Sequence, residues 1–268
     1  MSPNWDAFID ENYHWVLPVT KGRKFGINYL YQPHFTQQLG VFFKQGAIIP
    51  WQEIVTMLQK KFPFWEINWN YCTPPDQLTS SLKKDAATNF IIDLSRSYND
   101  IARNYHNVLK KNLKRSKNAG LNYCTLTDFS KPINFYKKYY SHRMPHLRDK
   151  HYNAFIRICE TRSFHAVICR EAVDGNNNTM SIALLLCDGR RLYNLMDTTT
   201  TEGRKAQANH FLIDSIIKEF AESKLLLDFE GSDLAGVKTF YENFGALNQP
   251  YYSIRYNNLA WPLRLFKK

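Results

Sequence analysis

Three side chains near the C-terminal end of the chain have the chemistry to move protons: Asp228, Glu230 and Tyr241. They fall in LLLDFEGSDLAGVKTFYENFGAL, residues 225–247. Carboxylates spaced i, i+2 share one face of a strand, and a carboxylate pair beside a phenol is a set that exchanges protons with a bound substrate. The same residues have plainer uses. The carboxylates suit a salt bridge or a helix cap, and Tyr241 is one of sixteen tyrosines and suits a core. A second cluster lies in DTTTTEGRKAQAN, residues 197–209. It gathers the hydroxyls of Thr199, Thr200 and Thr201, the charges of Arg204 and Lys205, the small residues Gly203 and Ala206, and Asn209. A helix is expected to begin near Gln207, and the free N–H groups of a helix start attract anions. The pattern therefore suits a phosphate. Its plainer use is a polar loop capping a helix.

These residues need elements to hold them. The apolar run Leu225–Leu226–Leu227, with Phe229, predicts a buried strand. A loop at 230–233 follows, in which Ser232 and Asp233 are candidates for the N-cap. Residues 235–243 then have helical spacing through Val237, Phe240, Tyr241 and Phe244, and Gly245 stops that helix. Upstream, 97–119 reads as one long helix with Ile101, Tyr105, Val108, Leu109 and Leu113 on its apolar stripe and a basic face from Lys110 to Lys117. That basic face is the pattern of a solvated surface, with a phosphate track as its functional alternative. Strands are expected at 121–126, 165–173, 181–187, 191–196 and 251–256, and helices at 132–141, 152–161 and 207–223. Asp188–Gly189 marks a hairpin. In the first part of the chain, strands at 13–19 and 27–31 flank a basic turn at 21–24. A helix at 51–61 ends at Pro63, and strands follow at 64–71 and 89–94.

The chain has 268 residues and a formal net charge of +11, which favours polyanionic partners. No apolar run reaches membrane-spanning length, and the start MSPNWDAFIDENYHW lacks the apolar segment of a secretory leader. Five scattered cysteines with no CxxC pair predict free thiols rather than disulfides or a zinc site. The expected location is cytoplasmic. His142, His146 and His151 in SHRMPHLRDKH match no zinc spacing, and no metal is expected.

The order β-α-α-β-β-β-α-β-α-β over the second half, with FYENFGA on its late helix, resembles the GNAT superfamily of N-acyltransferases. NAGL after a basic helix, DFEGS, FY–FGA and PHFTQQLG (residues 33–40) resemble the Fem-like branch, which includes peptidoglycan aminoacyl transferases. The resemblance implies an α/β fold of tandem GNAT-like domains with mixed sheets: a reduced one at 1–96 and a complete one at 97–268. It also implies that Tyr241 protonates the leaving group, that Glu230 or Asp228 binds or deprotonates an amine, and that the loop from Thr199 to Asn209 holds the donor. That loop keeps Gly203 and Ala206 and lacks the usual second glycine. Three functions follow from the resemblance: acyl transfer from an acyl-CoA to a small-molecule or peptide amine; aminoacyl transfer from charged tRNA to a peptide or cell-wall amine; and a non-catalytic binding module that keeps the fold. In this fold the histidine loop borders the acceptor.

Overall fold

The computed structural model describes residues 4–79, 81–161, 166–231 and 233–264. In chain order the elements are β1 (Trp5–Ile9), β2 (Trp15–Lys24), β3 (Ile27–Leu30), β4 (Phe42–Phe43), α1 (Trp51–Lys61), β5 (Phe64–Trp69) and β6 (Lys83–Ala87). Then come β7 (Phe90–Asp93), α2 (Tyr98–Arg103), α3 (Asn107–Asn118), β8 (Asn122–Leu126), α4 (Ser130–Tyr140), α5 (Asp149–Glu160), β9 (Ala166–Val173), β10 (Thr179–Cys187) and β11 (Arg191–Thr199). The chain ends with α6 (Thr201–Lys205), α7 (Ala208–Phe220), β12 (Leu226–Asp228), α8 (Ala235–Glu242), β13 (Leu247–Asn248) and β14 (Tyr251–Asn257).

Two compact units form, and they are not the two lengths of chain expected. One is Met1–Thr88 together with Gln249–Lys268; the other is Asn89–Asn248. The division differs from 1–96 and 97–268 because of strand pairing. β7 hydrogen-bonds to β12 and β13, whereas β14, expected in the second sheet, pairs with β5 and β6.

The first unit is built on a sheet of order β1-β2-β3-β5-β14-β6, with β4 paired to β2. Alternation on β5 turns Trp65, Ile67 and Trp69 inward, where they meet Ile54, Val55 and Leu58 of α1. The basic residues 21–24 are not a turn. They extend β2, and the two-residue turn lies at Phe25–Gly26, where both φ angles are positive.

The second unit has the order β13-β7-β12-β11-β10-β9-β8. Leu212, Ile213, Ile216 and Ile217 of α7 pack on Ala183, Leu185 and Leu192 of the sheet. α4 packs on β10 and β11. The helix expected over 97–119 is broken between α2 and α3. Asn104 backs onto Gly245, whose absent Cβ would lie 2.7 Å from the Asn104 Cβ, and the His106 N–H donates to the Asn243 carbonyl at 2.9 Å. A tertiary bond here takes the place of a helical one. The expected 207–223 helix is likewise preceded by a separate turn, α6, capped by Thr200.

Candidate functional site

β11 and β12 run parallel and side by side, but for only three residues: Arg191, Leu192 and Tyr193 pair with Leu226, Leu227 and Asp228. Past Tyr193, β11 continues to Thr199 bonded to β10, while the other chain turns to β7, the Phe229 N–H donating to the Phe90 carbonyl at 2.9 Å. The strands thus part toward their C-terminal ends. Just past the parting point β11 carries a bulge. Leu185 opposes Asn194 and Leu184 opposes Met196, so Leu195 is the extra residue. A bulge re-aims side chains. Here it turns Asn194 and Asp197 to one face of the sheet, because their partners Leu185 and Ala183 share that face.

The two carboxylates of the DFEGS segment divide their roles. Asp228 is buried and both its oxygens are engaged. Oδ2 accepts from Arg191 Nη1 at 2.6 Å, and Oδ1 accepts from the Glu230 N–H at 2.9 Å. That second bond helps hold Glu230 at φ 52, in the left-handed region, which a glutamate occupies only when its surroundings impose it. The Glu230 carboxylate makes no hydrogen bond among the described residues. Burial, and then the charge of Asp228, push its pKa up to about 8. Asp228 therefore orders the turn, while Glu230 is the carboxyl poised near neutrality.

Tyr241 lies across this turn. Its ring stacks on Phe229 at 4.4 Å, and burial raises its hydroxyl well above the usual phenol range, with the charges of Asp197 and Glu230 adding to the effect. Tyr136 and Tyr140 of α4 also act on it. Tyr136 is itself raised to about 12 by burial. Asp197 is raised to about 6 by burial, and the Asn209 and Asn194 side chains act against that rise. Among the described residues, Asp197 Oδ1 and both amide atoms of Asn194 are buried without a hydrogen-bond partner. An unpaired buried amide is costly, and these atoms lie on β11 just past the point where it leaves β12. Asn194, Asp197, Tyr136 and Tyr140 were missed in the sequence. Asn194 and Asp197 flank Leu195 and Met196 in the middle of β11, polar residues beside an apolar pair, which was the available signal.

The phosphate cluster splits in two. Thr199 Oγ1 bonds Ser181 Oγ at 3.0 Å, Asn209 Oδ1 accepts from the same hydroxyl at 3.3 Å, and Thr200 Oγ1 accepts from the Gly203 N–H at 2.9 Å. Gly203 is buried, and a Cβ there would lie 2.0 Å from the Met180 carbonyl oxygen. Its smallness serves packing against β10. Ala206 is half-buried, and Thr201, Arg204 and Lys205 are exposed. α7 follows, entered through Gln207 at φ 58, with no side chain capping its first-turn N–H groups. Uncapped first-turn amides of this kind are the groups of a helix start that attract anions.

Two of the loop histidines are placed by local structure. His151 Nδ1 accepts from the Arg148 N–H at 2.9 Å, closing a cap on α5, and His142 lies in a short turn, 141–143. No group of described residues is arranged to hold a metal, and no described helix is long and apolar enough to cross a membrane. The described cysteines are all free thiols. At α8 the N-cap position is Leu234, with no side-chain cap. Of the two cap candidates, Asp233 thus lies one residue too early, and Ser232 lies outside the described residues.

No family model matches the chain and no curated protein matches it in sequence. Among solved structures, FemX matches with a TM-score of 0.64 and 12% identity, over 98% of this chain and 90% of that one. The chain has a Fem-like fold of the GNAT type. L-PGS from Bacillus licheniformis matches with a TM-score of 0.57 and 7% identity, over 98% and 87%. A GCN5-related glucosamine N-acetyltransferase region of a fungal multi-domain GH3 beta-N-acetylglucosaminidase matches with a TM-score of 0.51 and 11% identity, over 94% of this chain and 32% of that one. The parted strands and the helix that follows them are the part of this Fem-like fold where the candidate residues gather.

Proposed function

We propose that this chain transfers an acyl group to an amine in the gap between β11 and β12. The observation that carries the reading is Glu230, a carboxyl with no hydrogen-bond partner among the described residues, held in a strained turn with its pKa up to about 8. A base of that strength is matched to drawing a proton from an attacking ammonium near neutral pH. Tyr241, coupled electrostatically to Glu230, keeps its proton throughout that range and can give it to the departing group. Asp228 and Arg191 position Glu230. The α7 start with Arg204 and Lys205 would hold a donor's phosphate, and the donor supplies the activated carbonyl.

A second reading concerns the donor. Asn194 and Asp197 leave buried polar atoms unpaired on β11, just past its last residue paired with β12. A plain acyl chain offers them nothing, whereas an aminoacyl group brings N–H donors. This favours an aminoacyl group over a plain acyl group as the part transferred, with a charged tRNA as one carrier of it.

The test is a thermal-shift screen of acyl-CoAs and aminoacylated RNA, since a ligand of the folded state raises the melting point. Turnover with the donor that binds is then compared between wild type and Tyr241→Phe. Loss of a general acid is expected to cost about 10²–10⁴-fold in rate with the fold intact. A variant with full turnover would make Tyr241 a packing residue, and a chain that binds no donor would be a binding module.

A further inference from the structure

A second surface lies in the first unit, where β2 and β3 run beyond the core as a ribbon. From Lys21 onward β2 is no longer buried. Tyr29 crosses its back face so closely that a Cβ on Gly22 would lie 2.3 Å from the ring, which stiffens the ribbon. Its tip is Phe25–Gly26, with φ 51 and 77. Both residues of such a turn need the left-handed conformation, which favours Gly, Asn or Asp. Phe25 is a bulky residue in a position that strains it, and it is 79% exposed. Stability explains neither fact.

Charge surrounds the tip. Lys24 Nζ lies 5.3 Å from the Phe25 ring centroid. Beneath the ribbon a groove of about 650 Å³ is lined by Trp5, Phe8, Lys21, Arg23, Lys61 and Phe62, among others. Asp6 is the one acid among its described lining residues and is paired with Lys21 at 2.7 Å. Arg23, Lys24 and Lys61 make no ion pair among the described residues. Trp5, at the groove, is 67% exposed. Unpaired cations one and two residues behind an exposed ring at a rigid tip suit an interface that is apolar in front and anionic behind. A strand advances about 3.3 Å per residue. With the Phe25 ring among acyl chains, Arg23 and Lys24 would therefore lie at headgroup depth, where cations meet lipid phosphates and a tryptophan is stable.

We propose that this ribbon docks the protein on an anionic phospholipid surface, with Phe25 inserted and Arg23, Lys24 and Lys61 on the headgroups. A nucleic acid would satisfy the cations but leave Phe25 without an apolar environment, so the observations favour lipid. The proposal rests on the first unit alone and stands apart from the transferase reading.

The test is flotation of the full chain with vesicles of phosphatidylcholine alone or mixed with phosphatidylglycerol. Binding is expected to the mixed vesicles only, and to weaken with salt. Each charge reversal, Arg23→Glu or Lys24→Glu, should lower binding roughly fivefold. Phe25→Asn suits the turn and therefore folds at least as well; its binding should fall about tenfold or more. Failure to float with phosphatidylglycerol vesicles would overturn the proposal. So would wild-type binding by Phe25→Asn, or binding to single-stranded RNA through the same residues without binding to vesicles.

Discussion

Replacing Glu230 with glutamine should make the protein more stable in base and inactive at the same time. The carboxyl is raised from 4.5 to about 8 by burial and by Asp228. Each tenfold corresponds to about 1.36 kcal/mol, so ionising it in the folded protein costs at most about 5 kcal/mol. Below pH 4.5 the side chain is protonated in both folded and unfolded chains and contributes no difference. As pH rises from 4.5 to 8 the unfolded chain gives up the proton and the folded one keeps it, so stability falls; above 8 the whole cost is present. Glutamine resembles the protonated form at every pH. Glu230 is half-buried, and screening by water brings the expected change in the stability gap between pH 6 and pH 9 to about 1–3 kcal/mol. Urea unfolding of wild type and Glu230→Gln at the two pH values measures the gap, and comparing the two proteins cancels the titration of other groups. The turnover of the wild type should rise with a limb near pH 8, and the variant should lose about 10²–10⁴-fold. A gap that is the same at pH 6 and pH 9 would refute the claim that Glu230 is held neutral by its site.

Three further outcomes are expected. Asp228→Ala breaks the buried ion pair with Arg191 at 2.6 Å, which should cost about 3–5 kcal/mol in urea unfolding; a neutral result would show that the pair does not order the Glu230 turn. Gly203→Ala forces a Cβ toward the Met180 carbonyl at 2.0 Å and should cost about 1–3 kcal/mol, read as a fall in melting temperature; an unchanged melting temperature would mean that this contact yields. Reversing both Arg204 and Lys205 to Glu should weaken donor binding by about 1.5–3 kcal/mol for each lost charge-assisted bond, and unchanged affinity in the folded double variant would move the donor site elsewhere.

Local pattern made several elements legible. The 3.6-residue spacing of Ile54, Val55 and Leu58 marks α1, bounded as expected at Trp51–Lys61. The apolar run before DFEGS marks β12, and FYENFGA begins on the last turn of α8 and runs past its end, with Gly245 at φ 68. Asp188–Gly189 makes its hairpin, because a carboxylate that accepts from the Arg190 and Arg191 N–H groups and a residue free to take positive φ are properties of the two residues themselves. Periodicity failed where a distant group intervened. Nothing between 97 and 119 indicates that Asn104 will back onto Gly245 and that His106 will bond Asn243, so one helix was expected where two form. The turn after β2 was expected at the basic residues because Phe25 is an unlikely occupant of its position.

The candidate site divides along the same line. Sequence alone determined which residue types stand at the end of β12 and at the start of α7, since the strand, the turn and the helix that carry them are set by local spacing and backbone preference. Tertiary structure decided what each one does. Asp228 and Glu230 have the same chemistry and sit two residues apart, yet one meets Arg191 across the strand pair and the other meets no partner among the described residues. Gly203 reads as part of a phosphate loop and is required instead by the carbonyl of Met180. Asn194 and Asp197 come to one face only because β11 bulges at Leu195. Burial, ion pairing and register are relations between segments far apart in the chain, and they set the pKa values on which the chemistry depends.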